Sequence, residues 1–545
     1  MPDAPAAESF TADERRALAP YFTNLDRPVF ALRNLPEVVK AALFARYSRS
    51  PKSLRRLFLD EFLPGFAGPL PDVEGGAPSP PGSGAGVGVA RSEQLFARVL
   101  AEYGDDSVAQ LGGAHVAVEG ASNLLTKVLE WGRLMAYLEQ STRYIPYTQR
   151  AGDRWRYHVP AELERSPLRG PYLAALDNSF AVYARWLDPL VAHYKQRLPS
   201  ADAGASGAFQ ATARAQALDV LRGLLPAATT SNVGIFGSGQ AYELLLLRMR
   251  AHPLAEVRAC ATAMRAELEE VIPAFLTRVD RPERGGAWSD YLASTRAASE
   301  RAAGEVLAGE TAQARAEVSL TDFDPDGEVK VVAAALYAVS DLPDDQLLAR
   351  ARQLSAEQRA AVLRAYVGER QNRRHKPGRA FERTAYRFDV VADYGAFRDL
   401  QRHRLLSLEW QRLSPALGYA MPSVVAAIGA VGEWDEVMRV GAELYREVAA
   451  AGLVEVAPYV LPMAYRVRFY MEMNAREAMH LIELRSTPQG HPAYRRIAQR
   501  MHALIAEQAG HRAIAAAMRF VDHSGGEQGR LAAEQASEQK RRGTT

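Results

Sequence analysis

Residues 381–404, FERTAYRFDVVADYGAFRDLQRHR, decide the fold. Within them, TAYRFDVVAD alternates apolar and polar residues with a period of two, which predicts a half-buried β-strand. A second stretch, Gln110–Arg133, aligns with the first without gaps when Arg133 is placed on Arg404, and its GAHVAVEG segment alternates in the same way. The sequence therefore indicates an internal repeat in which strand lies over strand.

A second pair of similar segments lies downstream of the first. One is residues 221–250, LRGLLPAATTSNVGIFGSGQAYELLLLRMR, and the other is residues 457–485, APYVLPMAYRVRFYMEMNAREAMHLIELR. Each contains Leu-Pro, a bridging segment and a predicted apolar helix whose last residue is an arginine, Arg250 or Arg485. Because order and spacing agree, we predict a tandem duplication with a first copy over residues 1–300 and a second over 312–545.

Most other segments predict helices. AEVRACATAMRAELEEV and RRIAQRMHALIAEQ carry apolar residues at three- and four-residue spacing, whereas AEVSLTDFD is a further alternating segment. Helices with a few strands, and without regular βαβ alternation, predict an α+β fold. Residues 71–89 are rich in Gly, Pro and Ser and predict a mobile insertion near 68–91. The Ala/Glu/Arg-rich region 286–315 predicts a partly helical spacer between the copies.

Composition excludes several classes of protein. The 545 residues include 66 Lys and Arg against 64 Asp and Glu, so the net charge of +2 gives no reason to expect nucleic-acid or membrane-surface binding. Cys260 is the single cysteine, which excludes a disulfide within the chain and a cysteine-based metal site. We therefore predict no metal. With no transmembrane run and no signal-peptide pattern, we expect a cytoplasmic protein.

The triplet Arg402-His403-Arg404 is the sharpest local signal. Two guanidinium groups beside an imidazole could hold a diphosphate, because arginine presents planar, permanently charged forks to phosphate oxygens. A lone basic triplet is more often a solvated surface, so the triplet is weak evidence by itself.

A second cluster lies in LEQSTRYIPY. We expect it to follow a helix, on a segment that Pro146 prevents from continuing as helix, where it could cradle a phosphate. The alternative is a helix exit with a capped, exposed arginine. The candidate residues are Glu139, Ser141, Arg143 and Tyr144.

Asn474 and Arg485 are eleven residues apart on a predicted helix. Eleven residues are close to three turns, so both side chains share one face, about 16 Å apart, and could contact two ends of one ligand or two neighbouring ligands. The alternative is an N-cap and a C-terminal arginine favoured by the helix dipole. Arg222, before Leu-Leu-Pro, is either a ligand contact or a surface charge.

Together these segments resemble the flavin-dependent thymidylate synthases. The family's signature is Arg-His-Arg, two residues, Ser, one residue, Asn-Glu, one residue, Ser, one residue, Arg-Tyr. Residues 402–407, RHRLLS, match its first half, and the second half is lost there. Residues 131–144, WGRLMAYLEQSTRY, keep mainly the second half, with Trp131 and Gly132 in place of Arg and His. The family's Asn-Ala-Arg-Glu…Leu-Arg element is present as NAREAMHLIELR, with Gly239 in place of the Asn in the first copy.

The resemblance implies a reductive methylation. FAD reduced by NADPH would carry a methylene group and a hydride from methylenetetrahydrofolate to dUMP, which gives dTMP without a cysteine nucleophile. It also implies a small antiparallel sheet with helices. Because the family forms homotetramers with shared sites, a duplicated chain would form a homodimer that is a pseudo-tetramer.

The resemblance also divides the roles of the residues, although it leaves the catalytic residue unassigned. The residues expected to bind the cofactor are Arg402, His403, Arg404, Ser407 and Asn474. The residues expected to bind the substrate are Glu139, Ser141, Arg143, Tyr144, Arg222 and Arg485. Since neither copy carries a full signature, the alternative is a flavin- or nucleotide-binding protein of the same fold that has lost methyl transfer. An assembly or regulatory subunit would give no reason for an intact Arg-His-Arg.

Overall fold

The structure is a computed structural model. It describes residues 9–48, 50–66, 108–150, 152–198, 207–524 and 528–542. The predicted insertion near 68–91 lies outside the described residues. No helix in the described part of the chain combines the length and the apolar character that a membrane span requires.

Helices make up most of the described chain. In chain order they are α1 (Ala12–Leu18), α2 (Glu37–Tyr47), α3 (Leu54–Leu57), α4 (Asn123–Leu129), α5 (Arg169–Arg197), α6 (Gly207–Leu221), α7 (Gly239–Arg250), α8 (Ala255–Val271), α9 (Ala287–Val306), α10 (Gly327–Tyr337), α11 (Asp344–Gln353), α12 (Ala356–Val367), α13 (Tyr394–Gln401), α14 (Ser423–Ala427), α15 (Val431–Ala450), α16 (Ala475–Arg485), α17 (Pro492–Glu507), α18 (Arg512–Ala517) and α19 (Gln528–Arg542).

Seven strands of the described chain form two small sheets. They are β1 (Gly113–Ser122), β2 (Met135–Glu139), β3 (Thr230–Ser238), β4 (Val318–Phe323), β5 (Ala385–Asp393), β6 (Ser407–Trp410) and β7 (Arg466–Asn474). The first sheet has the order β1-β3-β2, and the second has the order β4-β5-β7-β6 with antiparallel neighbours. Helices with small antiparallel sheets confirm the predicted α+β class.

The two sheets show the duplication directly. Strands β5, β7 and β6 repeat the order of β1, β3 and β2, and the alignment that places Arg133 on Arg404 also places β1 on β5 and α4 on α13. An apolar helix follows the central strand in both copies, α7 after β3 and α16 after β7. Within the described residues, the second sheet has the additional strand β4, which pairs with β5.

The chain forms two compact units that do not coincide with the two halves of the sequence. Unit 1 contains residues 1–118, 134–138 and 234–308, and unit 2 contains residues 119–133, 139–233 and 309–545. Unit 2 therefore combines segments of both copies. The boundaries 1–300 and 312–545 stay a prediction about the repeated sequence.

Unit 1 contains α7, α8 and the helix of the predicted spacer. Ser238 caps α7 by accepting a hydrogen bond from the Ala241 N–H, so Ser238, rather than Gly239, fills in the first copy the position that Asn474 fills in the second. The helix α9 covers much of the predicted spacer and has no buried residue. The short segment Pro273–Leu276 is a single 3-10 turn, and Pro273 follows the end of α8.

The core of unit 2 is built on β5 and β7. Tyr386, Phe388 and Val390 alternate along β5 and are fully buried, and they pair in register with the buried Met473, Met471 and Phe469 of β7. This period of two is what the sequence predicted.

The ends of two helices in unit 2 set the position of the site. The Asp393 carboxylate caps α13 by accepting from the Ala396 N–H, and α13 ends at Gln401 with Arg402 as its C-cap. Asn474 caps α16, which ends at Arg485. Both caps satisfy backbone donors that a helix start leaves unpaired. The basic triplet therefore begins where α13 stops.

Candidate functional site

The segment that carries Ser141 and Arg143 follows a strand, and the expectation of a preceding helix was wrong. Residues 135–139 form β2, which is hydrogen-bonded to β3. The reason is that Met135 and Glu139 are buried while Ala136 and Leu138 are exposed, an alternation that suits a sheet and not a helix. After β2 the chain turns, and the Ser141 hydroxyl accepts from the Arg143 N–H at 3.2 Å.

Arg143 is held by partners from both copies. Its guanidinium donates to the two carboxylate oxygens of Asp219 at 2.6 and 2.9 Å, to the Tyr494 hydroxyl at 2.7 Å and to the Gln489 carbonyl at 2.9 Å. Arg530 Nη1 donates to the same Asp219 carboxylate at 2.6 Å. Burial alone would raise the pKa of Asp219, but the charge of Arg143 outweighs it and lowers that pKa.

Arg222 and Arg402 share another buried carboxylate. Arg222 Nη1 donates to Asp399 Oδ2 at 2.9 Å, and Arg402 Nη2 donates to Asp399 Oδ1. Burial opposes ionisation of Asp399, yet the charges of Arg222 and Arg402 hold its pKa well below the usual range. A second carboxylate, Asp393, lies 4.0 Å from Arg222. Burial raises the pKa of Asp393, and the charge of Arg222 acts in the opposite direction.

Glu139 is surrounded by three basic side chains. Its oxygens are 2.5 Å from Arg398, 3.5 Å from Lys127 and 3.7 Å from Arg402. Burial would raise the pKa of Glu139, but these charges, led by Arg398, lower it to about 2. Lys127 also contacts Glu130 at 2.5 Å. Glu139 therefore fixes the position of Arg402, and its carboxylate is fully engaged with cations.

His403 is held at both ring nitrogens. Arg485 donates from Nε to His403 Nε2 at 3.0 Å, and His403 Nδ1 lies 3.1 Å from Glu477 Oε1. Burial and the charge of Arg485 hold the pKa of His403 well below its usual range, so the ring is neutral. Burial raises the pKa of Glu477 to about 7.

The surroundings of His403 are strongly basic. Burial and the positive charge of Lys376 lower the pKa of the neighbouring His480 to about 4. His403, Glu477 and His480 are close enough to hold a metal ion among the described residues. The cations around them disfavour another cation and favour an anion. The basic side chains whose charges act on these two histidines are Arg373, Lys376, Arg402, Arg476 and Arg485.

The other expected residues lie at the edge of this network. Ser407 Oγ accepts from Arg133 Nη2 at 3.0 Å, which links the aligned motif segments of the two copies. Asn474 accepts from the Glu477 N–H at 2.9 Å as the cap of α16. Arg404 is exposed, and Tyr144 is 56% exposed.

The sequence reading missed the partners of these arginines. Asp219 lies three residues before Arg222, and Asp399 lies three residues before Arg402. At Asp399 and Arg402 this spacing was a usable signal, because the two side chains are paired. At Asp219 it points to the wrong partner, since Asp219 pairs with Arg143 and Arg530. The contact of Arg530 with Asp219 could not be predicted from the repeat, because Arg530 lies outside the repeated segments.

Comparison with known proteins matches both copies of the repeat. A family model described as thymidylate synthase complementing protein matches residues 81–274 and 319–510. A UPF0159 protein of Chlamydia muridarum is 37% identical over 529 residues, which are 96% of this chain and 97% of that protein. A flavin-dependent thymidylate synthase of Clostridium tetani is 26% identical over 181 residues, or 33% of this chain and 67% of that protein. A crystal structure of the UMP/dUMP methylase PolB from Streptomyces cacaoi, bound with 5-Br dUMP, is 22% identical, with a TM-score of 0.30, and covers 38% of this chain and 96% of that chain.

Proposed function

Because the chain belongs to the family of the flavin-dependent thymidylate synthases, with the family domain present twice, we propose that it methylates dUMP reductively to dTMP. In this proposal FAD is the cofactor, methylenetetrahydrofolate is the one-carbon donor and NADPH is the reductant. The site is single and composite, and it draws its residues from both copies.

One observation carries the proposal. Four of the family residues that the copies have kept, Arg143 and Arg222 in the first and Arg402 and Arg485 in the second, belong to one network of unit 2. Arg143 and Arg222 of the first copy contact Tyr494 and Asp399 of the second at 2.7 and 2.9 Å. Tyr494 also lies under the Arg485 guanidinium, 5.4 Å from its ring centre. Motifs that are incomplete in each copy are complementary in this network.

The basic cluster around His403 fits the flavin's diphosphate. Two of the cations near His403 and His480 have other carboxylate partners, since Arg402 pairs with Asp399 and Arg476 lies 3.5 Å from Glu382. Glu477, whose pKa burial raises to about 7, is the carboxylate that contacts His403 itself. Clustered guanidinium groups suit phosphate oxygens. Arg402, His403, Arg404, Ser407 and Asn474 would line this end of the site.

The chain's own residues would orient the ligands. When bound, the flavin supplies the redox chemistry that the transfer of a methyl group requires. Neutral His403 presents a fixed ring, because Arg485 and Glu477 hold its two nitrogens. Ser141, Tyr144 and the three arginines Arg143, Arg222 and Arg485 would hold the nucleotide, with Glu139 keeping Arg402 in place.

A second candidate function is binding of flavin and nucleotide without methyl transfer. The observation that favours it is the saturation of Arg143, whose guanidinium already has Asp219, Tyr494 and Gln489 as partners. A phosphate at this guanidinium would have to displace Asp219. The second function keeps the flavin end of the site and loses the reaction.

The test starts with the purified full chain. Its absorption spectrum should show bound oxidised flavin, and NADPH should bleach it. Labelled dUMP with methylenetetrahydrofolate and NADPH should then yield labelled dTMP. The variant Arg402→Ala should lose product, whereas Arg439→Ala, an exposed arginine of α15, should not. Flavin binding without dTMP under these conditions would favour the second function.

A further inference from the structure

Two buried arginines share the Asp219 carboxylate unequally. Arg143 holds both of its oxygens, with Nε on Oδ1 at 2.6 Å and Nη2 on Oδ2 at 2.9 Å. Arg530 holds only Oδ2, from Nη1 at 2.6 Å. One negative charge therefore faces two guanidinium groups, and it keeps a cationic partner if either of them turns away.

Arg530 has donors that its present contact with Asp219 does not use. Its side chain is 4% exposed, and its Nε and Nη2 have no hydrogen-bond partner among the described residues. A buried N–H without an acceptor is costly, and a guanidinium can hold a carboxylate with two parallel donors. Arg530 is therefore equipped to bind both oxygens of Asp219, as Arg143 does in this structure.

The backbone of Arg530 is anchored, whereas its side chain has room to move. Arg530 lies near the start of α19, which packs against α6, the helix that ends just after Asp219. The next residue, Leu531, is buried. Arg530 and Asp219 both line a cavity of about 360 Å³, which leaves space for the two side chains to change their pairing.

Arg143 must give up a partner before it can bind an external anion. Its guanidinium donates to Asp219, to the Tyr494 hydroxyl and to the Gln489 carbonyl. If Arg143 left Asp219 without another cation, a buried carboxylate would lose its partner, which is strongly unfavourable. Arg530 removes that penalty, because it already contacts Oδ2 and has donors left for Oδ1.

We propose that Arg530 is a positioning residue: it binds both oxygens of Asp219 when Arg143 turns to the phosphate of the nucleotide. The inference rests on the proposed function, in which Arg143 holds the nucleotide, and it adds the C-terminal helix to that site. Arg530 acts through Asp219 and does not touch the nucleotide. It lies beyond residue 510, where the second match to the family model ends, so family membership assigns it no role.

The test measures binding of dUMP to the full chain by calorimetry. Arg530→Gln should weaken dUMP about tenfold, because Arg143 is then the one guanidinium that bonds Asp219 and is harder to release. Arg530→Lys keeps the positive charge and should lose less than about threefold. The matched control Arg512→Gln changes an exposed arginine of α18 and should leave the affinity unchanged. Uncharged deoxyuridine should bind equally to all of these proteins.

A double-mutant cycle with Asp219 separates positioning from direct contact. Asp219→Asn removes the charge that holds Arg143, so it should bind dUMP at least as tightly as the wild type. In that background Arg530→Gln should change the affinity by less than about twofold, whereas a side chain that touched the nucleotide would keep its full effect. The same effect of Arg530→Gln in both backgrounds, or a tenfold loss in Asp219→Asn alone, would overturn the inference.

The cycle also covers a failure of Arg530→Gln to fold. The double variant contains no Asp219 carboxylate that could be left without a cation, so its comparison with Asp219→Asn still tests for direct contact. FAD affinity is a further readout, since Arg530 has no contact with His403 or its neighbours among the described residues. A loss of FAD parallel to the loss of dUMP in Arg530→Gln would show that Arg530 supports the fold and not the nucleotide.

The two proposals fail separately. Binding of dUMP that depends on Arg530 only when Asp219 is present, in a protein that forms no dTMP, would sustain this inference and remove the proposed reaction. Formation of dTMP with an unchanged KM for dUMP in Arg530→Gln would sustain the reaction and remove the inference.

Discussion

Arg485 donates from Nε to Nε2 of His403 at 3.0 Å, which fixes the proton of the neutral ring on Nδ1, opposite the Glu477 carboxylate. The assignment follows because arginine has donors only, so the nitrogen that faces it must accept. The two motifs of the second copy, the basic triplet and the closing arginine of α16, are thus joined by a hydrogen bond.

This relationship predicts the effect of changing Glu477. Glu477→Leu removes the acceptor of the Nδ1 proton and frees the ring to rotate, whereas Glu477→Gln keeps an acceptor oxygen. We expect flavin affinity to fall about tenfold in Glu477→Leu and by less than about threefold in Glu477→Gln. Fluorescence titration with FAD measures both. The control Glu472→Gln changes an exposed carboxylate of β7. Equal affinity of Glu477→Leu and wild type would show that ring orientation is irrelevant to binding.

The division of the site between the copies predicts one FAD per chain. Arg404→Ala should release FAD, because it removes a charge from the intact triplet. Arg133→Ala should release much less, since the first copy has Trp131 and Gly132 where the triplet has Arg402 and His403. Calorimetric titration gives the stoichiometry. Saturation at two FAD per chain, or equal losses from the two substitutions, would mean that the copies are equivalent.

The regular elements were accessible from the sequence because they depend on local pattern. The alternation in residues 384–393 gave β5, and the gapless alignment of the two motif segments placed α4 over α13. The pattern after Arg133 predicted a helix where the structure has the strand β2. A strand of five residues contains too few alternations to be distinguished from a helix by its pattern.

The hydrogen-bond partners within the site were much harder to predict from the sequence, because they come from segments that meet only in the folded chain. Arg143 meets Asp219 only after α6 packs, and Tyr494 reaches it from a segment far along the chain. Arg530 comes from a region without a repeat, so no alignment between the copies could point to it. The motifs in the sequence predicted the arginines of the network. They did not predict the carboxylates of Asp219 and Asp399, which neutralise part of the positive charge of those arginines.

The buried pair Arg370–Glu483 predicts a large effect on stability. Two bonds of 2.6 and 2.5 Å join them, and both side chains are 1% exposed. Arg370→Met leaves the buried Glu483 carboxylate without its cation, although the Phe520 N–H still donates to it at 3.3 Å, and this should cost about 3–5 kcal/mol of unfolding free energy. The double variant with Glu483→Leu should recover most of the loss. Urea unfolding measures these values.

The control for this pair is the exposed bridge between Arg379 and Glu382, where Arg379 is 87% exposed. Arg379→Ala should change stability by less than about 0.5 kcal/mol. A single variant at Arg370 that is as stable as this control would contradict the account of the buried pair.

His491 predicts a loss of stability in mild acid. Burial and the charge of Arg222 lower its pKa to about 3, and its Nε2–H donates to the Asp219 carbonyl at 3.1 Å. A depressed pKa in the folded state gives stability that is full above the unfolded pKa and is lost as pH falls. Between pH 7 and 5 this histidine should account for a loss of about 2 kcal/mol.

The variant His491→Asn isolates that effect, because asparagine can still cap α17. Its unfolding free energy should fall less steeply between pH 7 and 5 than that of the wild type, as measured by urea unfolding at each pH. Parallel pH profiles of the two proteins would show that His491 titrates normally in the fold.

The assembly is predicted to be a homodimer. The resembled family shares its sites between subunits, and in unit 1 the helix α9 leaves Trp288 and Tyr291 exposed at 46% and 61%. Exposed aromatic residues on one helix are typical of contact surfaces. Light scattering at micromolar concentration should give twice the chain mass of 59.7 kDa. The mass of a single chain would refute the prediction.

Unit 2 takes residues 119–133 and 139–233 from the first half of the chain and residues 309–545 from the second. Cutting the polypeptide in the spacer would therefore not release two working halves: one fragment would carry Asp219 without Arg530, and the other would carry Tyr494 without Arg143. A deletion of either half would remove partners of buried arginines that the other half supplies.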